Sequence, residues 1–145
     1  MRRFRASASS YRSGLEDTIQ GHLQSQGVPF EYEAFRIPYV GKPHTYTPDF
    51  TLANGIVVET KGYFTAADRT KHLLVRDQHP DVAIRFVFQR STTKLSKTSK
   101  TTYAAWCQKH GFQYADTTIP AAWLIEPDDL RSLAAINALK ERKPR

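Results

Sequence analysis

At 145 residues the chain is long enough for one domain with a real core, and 40% apolar with 12% aromatic residues excludes a wholly disordered protein. Its 21 basic and 14 acidic residues leave a net charge of +7 and a pI near 9.7, which favours a polyanionic partner, nucleic acid first, over a merely solvated basic surface. One cysteine, Cys107, excludes an internal disulfide framework. No apolar run reaches bilayer length and the basic N-terminus has no apolar signal core, so the expectation is a cytoplasmic protein with no membrane partner.

Residues 1–12 carry Arg2, Arg3, Arg5 and Arg12 among Ser and Ala, and read as a flexible basic arm or a solvated tail. Ser13-x-x-Glu16 matches a capping box, and Leu15, Ile19 and Leu23 follow on one helical face before Gly27 and Pro29. Residues 30–34 alternate as a strand with Glu31 and Glu33 on its polar side. PYVGKPHTYTP, residues 38–48, reads as an extended connector. Two short strands then flank Asn54-Gly55, a hairpin signal. A helix is expected from Asp68, as N-cap, to His79, with Pro80 as its stop. Residues 82–88 form a buried strand, 90–100 a Ser/Thr/Lys-rich loop, 101–110 a helix and 112–114 a short strand. Residues 129–141 form an amphipathic helix with Leu130, Leu133, Ile136 and Leu139 inward. The mixture indicates an α/β or α+β domain over residues 13–145. Cys107, with His110 three positions on, falls short of a zinc ligand set and reads as a small buried residue.

The stretch TPDFTLANGIVVETKG, residues 47–62, concentrates the chemistry. On a strand, Glu59 and Lys61 project from one face, and the hairpin returns Asp49 beside them. Two carboxylates next to an ammonium suit phosphodiester hydrolysis: a hard divalent ion takes carboxylate, water and phosphate oxygens. Lys61 then orients or deprotonates the attacking water, or contacts the phosphate. The bland alternative is a solvated strand face with cross-strand ion pairs. Glu16 caps its helix on the local pattern, or adds a third carboxylate if that helix packs over the hairpin.

SGLED (13–17), FEYE (30–33), PYV (38–40), HTYTPDF (44–50) and VETKG (58–62) together resemble the phage endonuclease I family, as do KHLL (71–74), QHP (78–80), TKL (93–95) and IPAxW (119–123). These are Holliday-junction-resolving enzymes of T-odd phages within the PD-(D/E)xK nuclease superfamily, and the likeness covers about residues 11–125. The resemblance implies an α/β fold with a restriction-endonuclease-like core, a mixed central sheet flanked by helices. It implies a Mg²⁺-dependent endonuclease, with Mn²⁺ as a substitute, that places paired nicks in four-way and other branched DNA. Asp49 and Glu59 match metal-binding acids, Lys61 the catalytic lysine, Glu16 a further active-site acid, and the Thr60 carbonyl falls where a backbone oxygen binds metal. Glu31 matches an acidic position near the site. The family forms an intertwined homodimer, so residues 13–40 are expected to exchange between subunits across a connector at 41–46, slightly shorter than the family's. The helix at 129–141 departs from the family's basic, poorly patterned tail.

The candidate DNA contacts are the four arginines of the arm, His44, Arg69, Lys71, His72, Arg76, Lys94, Lys97 and Lys100, with either histidine alternatively structural. Two other readings compete: a superfamily nuclease acting on ordinary duplex, and a non-catalytic basic DNA-binding protein.

Overall fold

The computed structural model describes residues 14–40 and 44–142. The basic arm and Ser13 lie outside them, and with Ser13 one half of the expected capping box. In chain order the elements are α1 (Gly14–Ser25), β1 (Phe30–Tyr32), β2 (Ile37–Tyr39), β3 (His44–Tyr46), β4 (Phe50–Leu52), β5 (Ile56–Lys61), α2 (Ala66–Gln78), β6 (Ala83–Phe88), α3 (Tyr103–His110), β7 (Tyr114–Asp116), α4 (Ala121–Leu124) and α5 (Leu130–Lys140).

Five strands form a mixed sheet in the order β1-β4-β5-β6-β7. The β1–β4 and β4–β5 pairs are antiparallel, while β5–β6 and β6–β7 are parallel. The central strands β5 and β6 are almost wholly buried, even though β5 ends in Glu59-Thr60-Lys61 and β6 carries Arg85. On one face, Leu15, Ile19 and Leu23 of α1 meet Phe50, Leu52, Ile56 and Val58. On the other, Val57 and Ile84 meet Val75 of α2 and Ile136 and Leu139 of α5. An aromatic cluster around Phe64, Phe86, Phe88 and Trp106 seats α3, and Cys107 is buried within it as a free thiol. Among the described residues no helix is long and apolar enough to cross a membrane.

Several boundaries differ from the sequence-based expectations. Residues 38–48 are not merely a connector: Ile37–Tyr39 and His44–Tyr46 pair antiparallel as a second, two-stranded sheet, with Ile37, Tyr39 and Tyr46 buried beside α2. α2 begins at Ala66 because Thr65, not Asp68, is its N-cap: Thr65 Oγ1 accepts from Asp68 N (3.1 Å) and Asp68 Oδ2 accepts from Thr65 N (3.3 Å). The strand expected at 112–114 lies two residues later, since Phe112 turns into the aromatic cluster. Leu130 is 75% exposed, because α5 directs Ser132, Ile136 and Leu139 inward instead.

The β4–β5 hairpin forms where Asn-Gly predicts it, but through a three-residue loop. Leu52 O accepts from Gly55 N (3.0 Å), and only Gly55, at φ 94°, is left-handed. This turn is clasped by residues 123–132. Asn54 Nδ2 donates to the carbonyls of Trp123 (2.9 Å) and Glu126 (3.2 Å). Asp129 N donates to Asn54 O (2.8 Å), and Ser132 Oγ to Gly55 O (2.6 Å). A Cβ at Gly55 would stand 3.0 Å from Asp129 O and 3.1 Å from Leu133 Cγ, so glycine is required by both conformation and space.

Candidate active site

The acids gather at the opposite end of the same hairpin. Phe50 pairs with Val58 and Thr51 with Val57, so continuing the register by one residue sets Asp49 across from Glu59. Alternation along β5 then turns Glu59 and Lys61 to the α2 face, where Lys61 Nζ stands 3.4 Å from Glu59 Oε2.

Each of the three acids is held by a hydroxyl. Asp49 Oδ2 accepts from Thr60 N (2.9 Å) and Thr60 Oγ1 (2.8 Å). Glu59 Oε1 accepts from the Tyr46 hydroxyl (2.7 Å), and Glu16 Oε1 from the Tyr32 hydroxyl (2.9 Å). Asp49 Oδ1, also buried, has no hydrogen-bond partner among the described residues. Lys61 is fixed from its far side by Asp68 Oδ1 at 3.3 Å, which Lys71 also approaches, at 3.5 Å.

The crowding has electrostatic consequences. Burial pushes the Asp49 carboxyl well above the usual carboxylate range, and the charges of Glu59 and then Glu16 push it further, against the Thr60 hydrogen bonds. Glu59 is raised as well, by burial, with Lys61 opposing. For Lys61, burial favours the neutral amine, but Glu59 and Asp68 outweigh it and hold the group as an ammonium. Asp68, despite partial burial, is lowered by Lys61 and Lys71. The result is a buried carboxylate pair whose mutual repulsion a divalent cation would relieve. Its donors are hard oxygens, one of them unpartnered, which suits Mg²⁺. Among the described residues no three His, Cys, Asp or Glu side chains assemble a complete metal cage. An ion held by this pair would need backbone, water or phosphate oxygens to complete its shell.

Within this single chain Glu16 lies close enough for its charge to act on Asp49. Glu31 points away, on the other side of β1, and pairs with Lys140 of α5 at 2.6 Å. Of the candidate DNA contacts, the arm is outside the described residues, and His44 is described only through its backbone pairing with Tyr39. Lys94, Lys97 and Lys100 are exposed on the loop between β6 and α3. Arg69 and Arg76 are part-buried and spend guanidinium donors on the carbonyls of Phe64 and His110. Lys71 stands over the Tyr46 ring. His72 has 0% exposure, which leaves it no path to a phosphate and makes it a structural residue. Sequence reasoning missed Tyr46, Tyr32 and the Asp68–Lys61 contact. Thr60, expected to act through its carbonyl, also holds Asp49 through its side chain and N–H.

Comparison with known proteins agrees with the motifs. The family model for phage endonuclease I matches residues 1–143. Endonuclease I of Escherichia phage T7 is 55% identical over 120 residues, covering 81% of this chain and 80% of that protein. Endodeoxyribonuclease 1 of Enterobacteria phage T3 is 53% identical over 120 residues, covering 81% and 79%. With its acids and lysine brought to one end of the hairpin and its sequence matched over nearly the whole length, the chain belongs to the phage endonuclease I family.

Proposed function

We propose that this protein is a divalent-metal-dependent endodeoxyribonuclease that resolves four-way and other branched DNA by paired phosphodiester hydrolysis, on a PD-(D/E)xK core. The observation that carries the reading is the buried Asp49–Glu59 pair, one oxygen unpartnered, with the Lys61 ammonium against it. Neither a DNA-binding surface nor a solvated strand face requires two acids buried in a basic chain. The names of the T7 and T3 relatives support DNA cleavage.

Asp49, Glu59 and the Thr60 carbonyl would hold one or two Mg²⁺ or Mn²⁺ ions, with Glu16 contributing. A bound ion supplies positive charge for the developing phosphoryl oxygens and eases deprotonation of the attacking water. Thr60 aims Asp49, and Tyr46 aims Glu59. Lys61, held as an ammonium between Glu59 and Asp68, donates to a phosphate oxygen or orients the water. Lys94, Lys97, Lys100 and the basic arm supply phosphate contacts, so that branched DNA is selected by shape and charge placement rather than base reading.

The working unit is a two-fold homodimer, matched to the two related strands of a junction. Exchange of residues 13–40 is compatible with the contacts: Glu16 and its donor Tyr32 lie within that segment, while Asp49, Thr60, Glu59 and Tyr46 lie outside it. Either chain therefore brings complete half-sites.

The deciding experiment incubates purified protein and Mg²⁺ with a synthetic four-way junction and with a linear duplex of the same sequence. Cleavage of the junction at least a hundredfold faster is expected, abolished by EDTA. Equal rates would establish a duplex nuclease instead, and tight binding without cutting a non-catalytic protein. Mixing Glu16→Ala with Lys61→Ala protein, with co-refolding, restores activity if segments exchange, because one site of each heterodimer is then intact.

A further inference from the structure

Tyr46 and His72 are buried polar residues for which hydrolysis needs no chemical step. We infer that Tyr46, backed by His72, is a positioning residue that fixes Glu59 for cation binding; this rests on the metal-dependent reading above.

Glu59 has two oxygens and two neighbours. Its Oε1 accepts from the Tyr46 hydroxyl at 2.7 Å, which leaves Oε2 turned to Lys61 and available to a cation. A buried glutamate without that donor is free to rotate about its terminal torsion, which is broad and roughly two-fold. The carboxylate has no proton to give, so the phenol is the donor of this pair. Tyr46 is itself immobilised. Its strand pairs with β2, placing Tyr46 opposite Ile37. The His72 ring meets Tyr46 edge-on with centroids 4.8 Å apart, and Phe86 backs His72 at the same distance. Neither His72 nitrogen has a hydrogen-bond partner among the described residues, and burial keeps the ring neutral. It therefore serves as a flat spacer carrying rigidity from β6 to the phenol. The Lys71 ammonium, 5.2 Å from the Tyr46 ring centre, completes the clamp.

Donors behind metal-binding side chains typically contribute about 10–100-fold to metal affinity. The test is Mn²⁺ binding to the full-length protein, followed by EPR or calorimetry without DNA, for wild type and Tyr46→Phe. The variant keeps the ring and loses only the hydroxyl. Roughly tenfold weaker Mn²⁺ binding is expected, with circular dichroism and metal-free junction affinity unchanged, and with cleavage recovering as Mg²⁺ is raised about tenfold. In a Glu59→Gln background the same change should have no further effect on Mn²⁺ affinity, a non-additivity that a general loss of packing would not give. Wild-type Mn²⁺ affinity in Tyr46→Phe overturns the inference while leaving the nuclease reading intact. So does a loss that metal does not rescue, or one that persists in full in Glu59→Gln. Wild-type protein that binds no Mn²⁺ overturns both.

Discussion

The two ends of the β4–β5 hairpin are built from the same strands and obey opposite rules. At the turn, Asn54 and Gly55 have partners for side-chain and backbone groups alike, drawn from residues 123–132. At the open end, Asp49 and Glu59 face each other, buried, with raised pKa values and an orphaned oxygen. One end is anchored by hydrogen bonds, and the other concentrates buried like charge that the proposed cation would offset. The comparison teaches that the local cost of the site is offset nearby, by anchoring the strands that carry it.

The comparison breaks most visibly in catalysis. Glu59→Gln and Asp49→Asn should each lower junction cleavage by on the order of 10³-fold, a loss of about 4 kcal/mol of transition-state stabilisation, while gel-shift affinity for the junction persists. At the turn, Gly55→Ala meets both a left-handed φ and Asp129 O at 3.0 Å. A destabilisation of about 2–3 kcal/mol is expected, lowering Tm by roughly 8 °C, with specific activity of the folded fraction retained. The same two readouts therefore move in opposite combinations at the two ends.

Asp49→Asn sharpens the contrast further. An amide can still accept from Thr60 while relieving the repulsion with Glu59 and Glu16, so the metal-free variant should melt about 3 °C higher than wild type, a gain of about 1 kcal/mol. A lower Tm would mean that the open end is not strained. The pH dependence follows from the raised carboxyls. Their folded pKa values lie above the ordinary 3.8 and 4.5, so the folded form binds protons more tightly, and metal-free stability falls as pH rises from those values through the folded pKa values. A divalent cation bound between the carboxylates would remove that penalty. The Tm gain on adding Mg²⁺ should be larger at pH 7.5 than at pH 4.5, and should largely vanish in Asp49→Asn. The smallest effect is expected at Glu126→Gln. It weakens a partly exposed bidentate pair with Arg85 (2.7 and 2.9 Å) beside the turn, for about 1 kcal/mol or less by thermal melting.

Legibility in the sequence followed the range of the interactions. Helix α1, the hairpin, β6 and the relation of Asp49, Glu59 and Lys61 depend on local periodicity and one turn, and all were readable. The pairing of Ile37–Tyr39 with His44–Tyr46 was not, because its prolines suppress any strand pattern and its burial comes from α2 and α5. Thr65 was hidden as a cap because Asp68 is itself a good capping residue; the T-x-x-D spacing was the available signal. Tyr46 and Tyr32 carry no marker of their role in the sequence, since their hydroxyl partners are 13 and 16 residues away and defined by tertiary packing. His72 and Arg76, with the charge pattern of surface residues, were drawn inward by aromatic neighbours.

The clasp on the turn has a temporal side. Gly55 meets Ser132 across 77 positions of sequence, so the strand pair bearing the acids is synthesised long before its anchor. Chains emerge from the ribosome N-terminus first, at about 5–20 residues per second. The hairpin must then wait several seconds for α5. Throughout that interval a nascent chain carries Asp49, Glu59 and Lys61 without the clasp that anchors the other end of their hairpin.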